Sequence, residues 1–175
     1  MRKGGSVPGR LVIICGVPGS GKTTLARLVA ARSGRAVHLQ TDAVRGAIAN
    51  PDYSAKESEF VYSACLAVAR EALDAGYDVV LDGTFRTEAR RGSAVAALEG
   101  RYNSITFVRT VCDQQTALRR NGGRDKAVPT ERLLGIASAF EDPPGAVDVD
   151  TARMGPEEAA ELVLRSLSYP LVPPE

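Results

Sequence analysis

One segment near the start of the chain constrains the fold more than any other. An apolar run over residues 11–15 is followed at once by the sequence Gly16-Val17-Pro18-Gly19-Ser20-Gly21-Lys22-Thr23. A helical pattern then begins at Thr24. The spacing GxxxxGK[ST] between a strand and a helix lets backbone N–H groups turn inward around an anion. A glycine-rich turn that carries a lysine by chance is the alternative, and the flanking strand and helix disfavour it.

This spacing predicts a nucleotide-binding site. Glycines allow the backbone to surround phosphate oxygens, Lys22 reaches the β and γ phosphates, and the Thr23 hydroxyl coordinates Mg²⁺. We therefore expect ATP and Mg²⁺ as cofactors. The residues expected to contact the nucleotide are Gly16, Val17, Pro18, Gly19, Ser20, Gly21, Lys22, Thr23, Thr24 and Arg120.

Short apolar runs alternate with longer helical patterns along the chain. The predicted strands are 11–15, 36–40, 77–82, 103–110 and 146–150, and the longest predicted helix is 56–75. The nearly continuous Val, Ile and Leu of the first and third runs are typical of parallel strands that helices cover on both faces. The sequence therefore predicts the α/β class, a single-domain P-loop NTPase fold with a five-stranded parallel sheet flanked by helices.

The length of 175 residues, with 44% hydrophobic residues, is that of one globular domain. We expect this domain over residues 10–168, between a flexible N-terminal segment, 1–9, and a flexible C-terminal tail, 169–175. Paired glycines, charges and a proline within residues 119–130 predict a mobile helical lid.

The composition argues against several classes of protein. The net charge is +1 and the chain has no Trp, so neither a whole-molecule field nor a set of stacking platforms is available for a long nucleic acid. Three dispersed cysteines favour neither a zinc site nor a disulfide framework. We expect a cytoplasmic protein that needs no membrane and no obligate protein partner.

Residues that follow the second strand are candidates for the acceptor side of the site, since ligands bind beyond the carboxyl ends of parallel strands. Asp42 could accept a proton from an acceptor hydroxyl, and Arg45 follows at helical spacing. The alternative is that Asp42 caps the next helix and that Arg45 is a solvated surface residue.

The third predicted strand ends in Asp82, which could face the magnesium shell, and Thr84 follows two residues later. A loop-capping role for Asp82 is the alternative. Arg86 and Arg90 are predicted to share a helical face and to bind an acceptor phosphate or carboxylate, with a solvated helix face as the alternative. The single His38 has no His, Cys or acidic cluster around it in the sequence, so a structural place in its strand is favoured.

Arginines flank the predicted lid at Arg119, Arg120 and Arg124. Their guanidinium groups could neutralise charge that develops on a transferred phosphoryl group. Basic residues also favour the last turn of any helix, so each arginine by itself has a simpler explanation.

With these residues in place, the chain resembles the AAA-33-type P-loop kinases, which include polynucleotide 5'-hydroxyl kinase domains, zeta toxins and chloramphenicol phosphotransferase. The likeness covers residues 10–168 and rests on five elements: the loop GVPGSGKTT, Asp-x-x-Arg at 42–45, Asp-x-Thr at 82–84, arginines at 120 and 124, and AFEDPP at 139–144. It implies that Asp42 is the general base and that Arg45 lies near the acceptor.

These observations predict transfer of the γ-phosphoryl group of Mg-ATP to a hydroxyl acceptor, with Lys22, Asp42, Arg120 and Arg124 catalytic. The acceptor is a small molecule or the 5'-hydroxyl end of a nucleic acid. The stretch LDGTFRT also looks like the adenylate-kinase segment LDGFPRT, so nucleoside monophosphates remain alternative acceptors. A nucleotide-dependent switch protein without an acceptor is the alternative from another class.

Overall fold

The computed structural model describes residues 9–124 and 127–167. Most of the predicted N-terminal segment, the C-terminal tail with residue 168, and residues 125–126 of the predicted lid lie outside this range. Strands and helices alternate along the chain. They are β1 Gly9–Cys15, α1 Lys22–Arg32, β2 Ala36–Gln40, α2 Thr41–Gly46, α3 Ala55–Asp74, β3 Asp78–Asp82, α4 Glu88–Leu98, β4 Tyr102–Val111, α5 Gln114–Gly122, α6 Thr130–Ser138, β5 Val147–Asp150 and α7 Pro156–Leu167.

The five strands form one parallel sheet in the order β2-β3-β1-β4-β5. This arrangement confirms the predicted α/β class and the five-stranded parallel sheet flanked by helices. The observed strands begin or end up to two residues from the predicted positions. Arg10, for example, joins β1 because it pairs with Ser104 of β4, and its guanidinium forms an ion pair of 2.6 Å with Asp78 at the start of β3.

The core consists of two apolar layers, one on each face of the sheet. Alternate residues of β1 point to opposite faces. Val12 and Ile14 pack against α1 and α7, whereas Leu11 and Ile13 pack against α3 and α4. Burial on both faces explains why the apolar run of β1 is nearly continuous rather than alternating. None of the helices in the described part of the chain is long and apolar enough to cross a membrane.

The site is positioned by the change in winding direction between β1 and β3. The helix that follows β1 packs on one face of the sheet, and the helix that follows β3 packs on the other. A crevice therefore opens beyond the carboxyl ends of these adjacent strands, where ligands of open α/β sheets bind. The loops after β1 and β3 are joined by a hydrogen bond of 3.3 Å from the Gly16 N–H to the Thr84 carbonyl.

Candidate active site

The loop between β1 and α1 has a backbone that only glycine adopts without strain at two positions. Gly19 has φ of 82°, and a Cβ atom there would lie 2.2 Å from the Ala117 carbonyl oxygen. Gly21 has φ of 87° and is the N-cap of α1. These left-handed conformations turn backbone N–H groups toward one side. The loop is thus shaped as a cradle for an anion at the start of a helix.

Buried hydroxyl groups fix this loop to the strand beside it. The Ser20 and Thr110 hydroxyl oxygens lie 2.6 Å apart, and Thr110 donates to the Cys15 carbonyl at 3.2 Å. Ser20 is fully buried and does not line the cavity described below. Its side chain therefore supports the loop from beneath, and only its backbone is available to a ligand.

Lys22 begins α1 and its ammonium donates to the Val17 carbonyl at 2.8 Å. Burial lowers the pKa of Lys22 below its usual value, and the carboxylates of Asp82 and Asp42 act in the opposite direction. A cation held beneath the loop and near two carboxylates is placed to meet a polyphosphate.

Two oxygen donors lie close to this lysine and could hold Mg²⁺. Thr23 follows Lys22, and its hydroxyl accepts a hydrogen bond of 3.1 Å from Gln40. Asp82, at the end of β3, is 2% exposed, and one of its carboxylate oxygens lies 3.2 Å from His38 Nε2. Within residues 9–124 and 127–167 there is no cluster of three or more metal-binding side chains. This donor set fits an ion that takes its other ligands from phosphate and water.

Asp42 is the second residue of α2 and its side chain is 61% exposed. One of its carboxylate oxygens accepts a hydrogen bond of 3.3 Å from Arg124. The alternative assignment of Asp42 as a helix cap is wrong, because the N-cap residue is Gln40 and no side chain caps this helix. The carboxylate therefore projects into the crevice rather than onto its own backbone.

The candidate lid arginines occupy different surroundings. Arg120 donates to the hydroxyl and the carbonyl of Thr151 at 2.9 and 2.8 Å, and the Thr151 hydroxyl donates to the Ser20 carbonyl at 2.9 Å. Arg120 is thus tied to the phosphate loop. Arg124 instead reaches across to Asp42. Arg120, in the last turn of α5, and Arg124, just after that helix, both line the same crevice.

The arginines after β3 do not form the predicted shared helical face. Helix α4 begins at Glu88 with Thr87 as its N-cap, so Arg86 precedes the helix that carries Arg90. Both nevertheless border the cavity. Arg91 is 4% exposed and donates to the Phe85 carbonyl at 2.8 Å. Arg91 therefore holds the turn after β3, and it does not line the cavity.

A single cavity of about 1000 Å³ collects most of the predicted site residues. Gly16, Val17 and Ser20 do not line it. The predicted residues that line it are Pro18, Gly19, Gly21, Lys22, Thr23, Thr24, Asp42, Arg45, Asp82, Thr84, Arg86, Arg120 and Arg124. The cavity also contains Tyr53, Tyr62 and Arg132, which the sequence did not single out. No local motif marks these three, since Tyr53 comes from the segment between α2 and α3, Tyr62 from α3 and Arg132 from α6.

A phosphate-binding loop at the switch point of a parallel sheet, with helices on both faces, defines a P-loop nucleotide-binding domain of the kinase fold. The chain belongs to the AAA_33 family, described as an AAA domain, which matches residues 11–143. This confirms the resemblance that the motifs indicated.

Sequence relatives and solved structures agree with this assignment. The uncharacterised protein Rv2004c of Mycobacterium tuberculosis is 30% identical over 165 residues, which cover 85% of this chain. The match spans 32% of that relative, so this chain spans about a third of its length.

The solved structures that this fold resembles include small kinases. APS kinase CysC of M. tuberculosis, in complex with AMPPNP and APS, superimposes with a TM-score of 0.76 at 20% identity, covering 93% of this chain and 99% of that one. A gluconokinase of Sinorhizobium meliloti gives 0.68 at 22% identity, covering 94% of both chains. A chain of the Pnkp1/Rnl/Hen1 RNA repair complex gives 0.66 at 19% identity, covering 79% of this chain and 46% of that one.

Proposed function

We propose that this domain is an ATP-dependent phosphotransferase that moves the γ-phosphoryl group of Mg-ATP to a hydroxyl acceptor. The observation that carries the proposal is that Lys22 of the phosphate loop and Asp42 line one cavity, together with additional arginines. A cavity of about 1000 Å³ has room for a nucleotide and a second molecule.

The proposed chemistry uses Asp42 as the general base. As the acceptor oxygen forms its bond to the γ-phosphorus, the bond from that phosphorus to the β–γ bridging oxygen breaks, and the Asp42 carboxylate takes the hydroxyl proton. Its present partner, Arg124, then becomes available to the phosphoryl oxygens. Lys22 and Arg120 neutralise charge on the oxygens of the transferred and leaving phosphates.

Thr23 and Asp82 are the residues proposed to hold Mg²⁺, directly or through water. When bound, the ion supplies charge neutralisation between the β and γ phosphates. The contribution of this chain is a hydroxyl at the start of α1 and a buried carboxylate at the end of β3, both oriented by β2 through Gln40 and His38.

The acceptor is either a small-molecule alcohol or the 5'-hydroxyl end of a nucleic acid. The structures with a similar fold include a gluconokinase, an APS kinase and a chain of an RNA repair complex. The same fold therefore accommodates different acceptors, and the acceptor of this protein must be identified from its own site. Thr84, Arg86 and Arg45 line the acceptor end and are proposed to position the acceptor.

The test is transfer of label from γ-labelled ATP to a panel of 5'-hydroxyl oligonucleotides, nucleosides, nucleoside monophosphates, sugars and sugar acids. We expect one class to be labelled, and Lys22→Ala to lose at least about 100-fold in rate, since it removes a preorganised cation from the phosphates. Lys56→Ala, an exposed residue near the start of α3, is the matched control. Tight nucleotide binding without transfer to any compound would favour the switch protein instead.

A further inference from the structure

Four of the arginines that line the cavity come from neither the phosphate loop nor the predicted lid. Arg45 comes from α2, Arg86 from the turn after β3, Arg90 from α4 and Arg132 from α6. They lie on separate elements and converge on one cavity although the protein as a whole has a net charge of only +1. The concentration of positive charge here is therefore local.

Two of these four arginines are already neutralised by carboxylates. Arg45 forms an ion pair with Glu57, and both side chains are nearly buried, with 12% and 10% exposed. Arg90 pairs with Glu59 at 2.8 Å and stacks on the Tyr62 ring at 4.5 Å. These contacts hold both guanidinium groups in the wall of the cavity.

Tyr53 contacts a third arginine of this set, Arg132, as well as Arg45. The guanidinium groups of Arg45 and Arg132 lie 4.8 and 4.7 Å from the centre of its ring. Tyr53 has φ of 55°, which is unusual for a residue with a side chain. The Glu57 carboxylate holds this backbone by accepting hydrogen bonds of 2.6 and 3.1 Å from the N–H groups of Asp52 and Tyr53. The strained turn thus fixes the ring that carries Arg132.

Arg86 and Arg132 have no carboxylate partner among the residues that the structure describes. Both line the cavity, where the basic residues are Lys22, Arg45, Arg86, Arg90, Arg120, Arg124 and Arg132, against Asp42, Glu59 and Asp82. Lys22, Arg120 and Arg124 surround the expected triphosphate. Arg86 and Arg132 are exposed residues on the cavity, and within the described part of the chain neither has a counter-charge.

We propose that the acceptor is an anionic alcohol, a hydroxyl compound that also bears a phosphate, sulfate or carboxylate group, and that Arg86 and Arg132 bind this group. The inference rests on the proposed function, because it concerns the acceptor of the same site. Planar guanidinium groups match such oxyanions through paired N–H donors, and the Tyr53 ring fixes the approach of one of them.

Matched acceptor pairs test the charge requirement. Each pair shares a hydroxyl and differs in its anion: a nucleoside and its 3'-monophosphate, a sugar and its phosphate, a sugar and its acid. We expect the protein to phosphorylate the anionic member of one pair faster than the neutral member. Which pair shows this preference tells whether the acceptor is a nucleotide, a sugar phosphate or a sugar acid.

Arg86→Gln and Arg132→Gln should each raise the acceptor KM about 10- to 100-fold and leave the ATP KM unchanged. Arg153→Gln, at an 88% exposed side chain outside the cavity, is the control. Equal use of neutral and anionic members would overturn the inference.

A binding measurement separates this inference from the proposed function. With AMPPNP and Mg²⁺ filling the phosphate loop, fluorophosphate should still bind, and its ¹⁹F resonance should broaden with the wild-type protein. Broadening that disappears in the double variant Arg86→Gln/Arg132→Gln supports the anion site even if no acceptor in the panel is phosphorylated, an outcome that would count against the kinase proposal alone. Equal broadening in both proteins would refute the anion site.

Discussion

At the scale of the residue, the Asp82 carboxylate owes its orientation to His38. Asp82 is 2% exposed, and His38 Nε2 lies 3.2 Å from one of its oxygens. A buried carboxylate without a hydrogen-bond partner is costly, so this contact also limits the positions that the carboxylate takes. If Asp82 contributes to Mg²⁺ binding, His38 acts on the ion through it.

We expect His38→Ala to weaken metal binding by about 10-fold, a size typical of residues that orient metal ligands. The measurement is the affinity of the ADP complex for Mn²⁺, followed by electron paramagnetic resonance. His38→Gln, which keeps an N–H donor, should recover much of the loss. Unchanged Mn²⁺ affinity in His38→Ala would contradict the role of His38 in orienting Asp82 for the ion.

The strands that carry His38 and Asp82 were predicted from the sequence, but the contact between these two side chains was not. His38 lies opposite Val80 and Gln40 lies opposite Asp82 in the parallel pairing of β2 with β3. If β2 were shifted by one residue against β3, the side chains of β2, including His38 and Gln40, would point to the opposite face of the sheet. The register depends on how α3 packs the two strands together, and no local pattern in the sequence reports it.

At the scale of the element, the turn after β3 is held by contacts with two helices, α3 and α4. Phe85 has φ of 41° and is 1% exposed, and its ring meets the Tyr62 ring of α3 edge-on at 5.0 Å. Its N–H donates to the Tyr62 hydroxyl at 3.2 Å, and its carbonyl accepts from Arg91 of α4 at 2.8 Å. These contacts fix the positions of the neighbouring Thr84 and Arg86.

Phe85→Ala should lower the free energy of unfolding by about 3–5 kcal/mol, because it removes a fully buried ring. Urea denaturation measures the loss. Phe60→Ala provides the matched comparison, since Phe60 is 59% exposed on the same helix that packs against Phe85 and should change stability by about 0.5 kcal/mol or less. Similar losses in the two variants would contradict the role assigned to Phe85.

Apolar runs were sufficient to predict the five strands, because burial on both faces of the sheet leaves a continuous signal in β1 and β3. The helical continuation from Arg86 to Arg90 was wrong, since Thr87 accepts a hydrogen bond of 3.2 Å from the Arg90 N–H and starts the helix later. A capping threonine inside a charged segment is easily read as part of the helix itself.

At the scale of the whole molecule, the cavity depends on contacts between residues far apart in the chain. Arg124 reaches Asp42 across 82 positions, and Thr151 joins Arg120 to the Ser20 carbonyl. Motifs predicted the phosphate loop and Asp42 because their residues are adjacent in sequence. The rest of the cavity was predicted only in part, because Tyr53, from the segment between α2 and α3, and Arg132, from α6, come into contact only in the folded chain.

The proposed mechanism also operates at this scale, since Asp42 from α2 must take the proton of an acceptor hydroxyl that attacks a phosphate held at the start of α1. The general base accounts for about 100- to 10,000-fold in rate in enzymes of this kind of chemistry. Asp42→Asn keeps the size of the side chain and removes its ability to take a proton. Asp74→Asn, at a 46% exposed carboxylate paired with Arg101 on the surface, is the control.

The most direct test is therefore the rate of label transfer from γ-labelled ATP to the acceptor found in the panel, measured for wild-type, Asp42→Asn and Asp74→Asn proteins alongside their AMPPNP affinities. We expect Asp42→Asn to lose about 100-fold or more in transfer and to bind AMPPNP as the wild-type protein does, whereas Asp74→Asn should change neither. Transfer by Asp42→Asn at the wild-type rate would contradict the proposal that this carboxylate activates the acceptor.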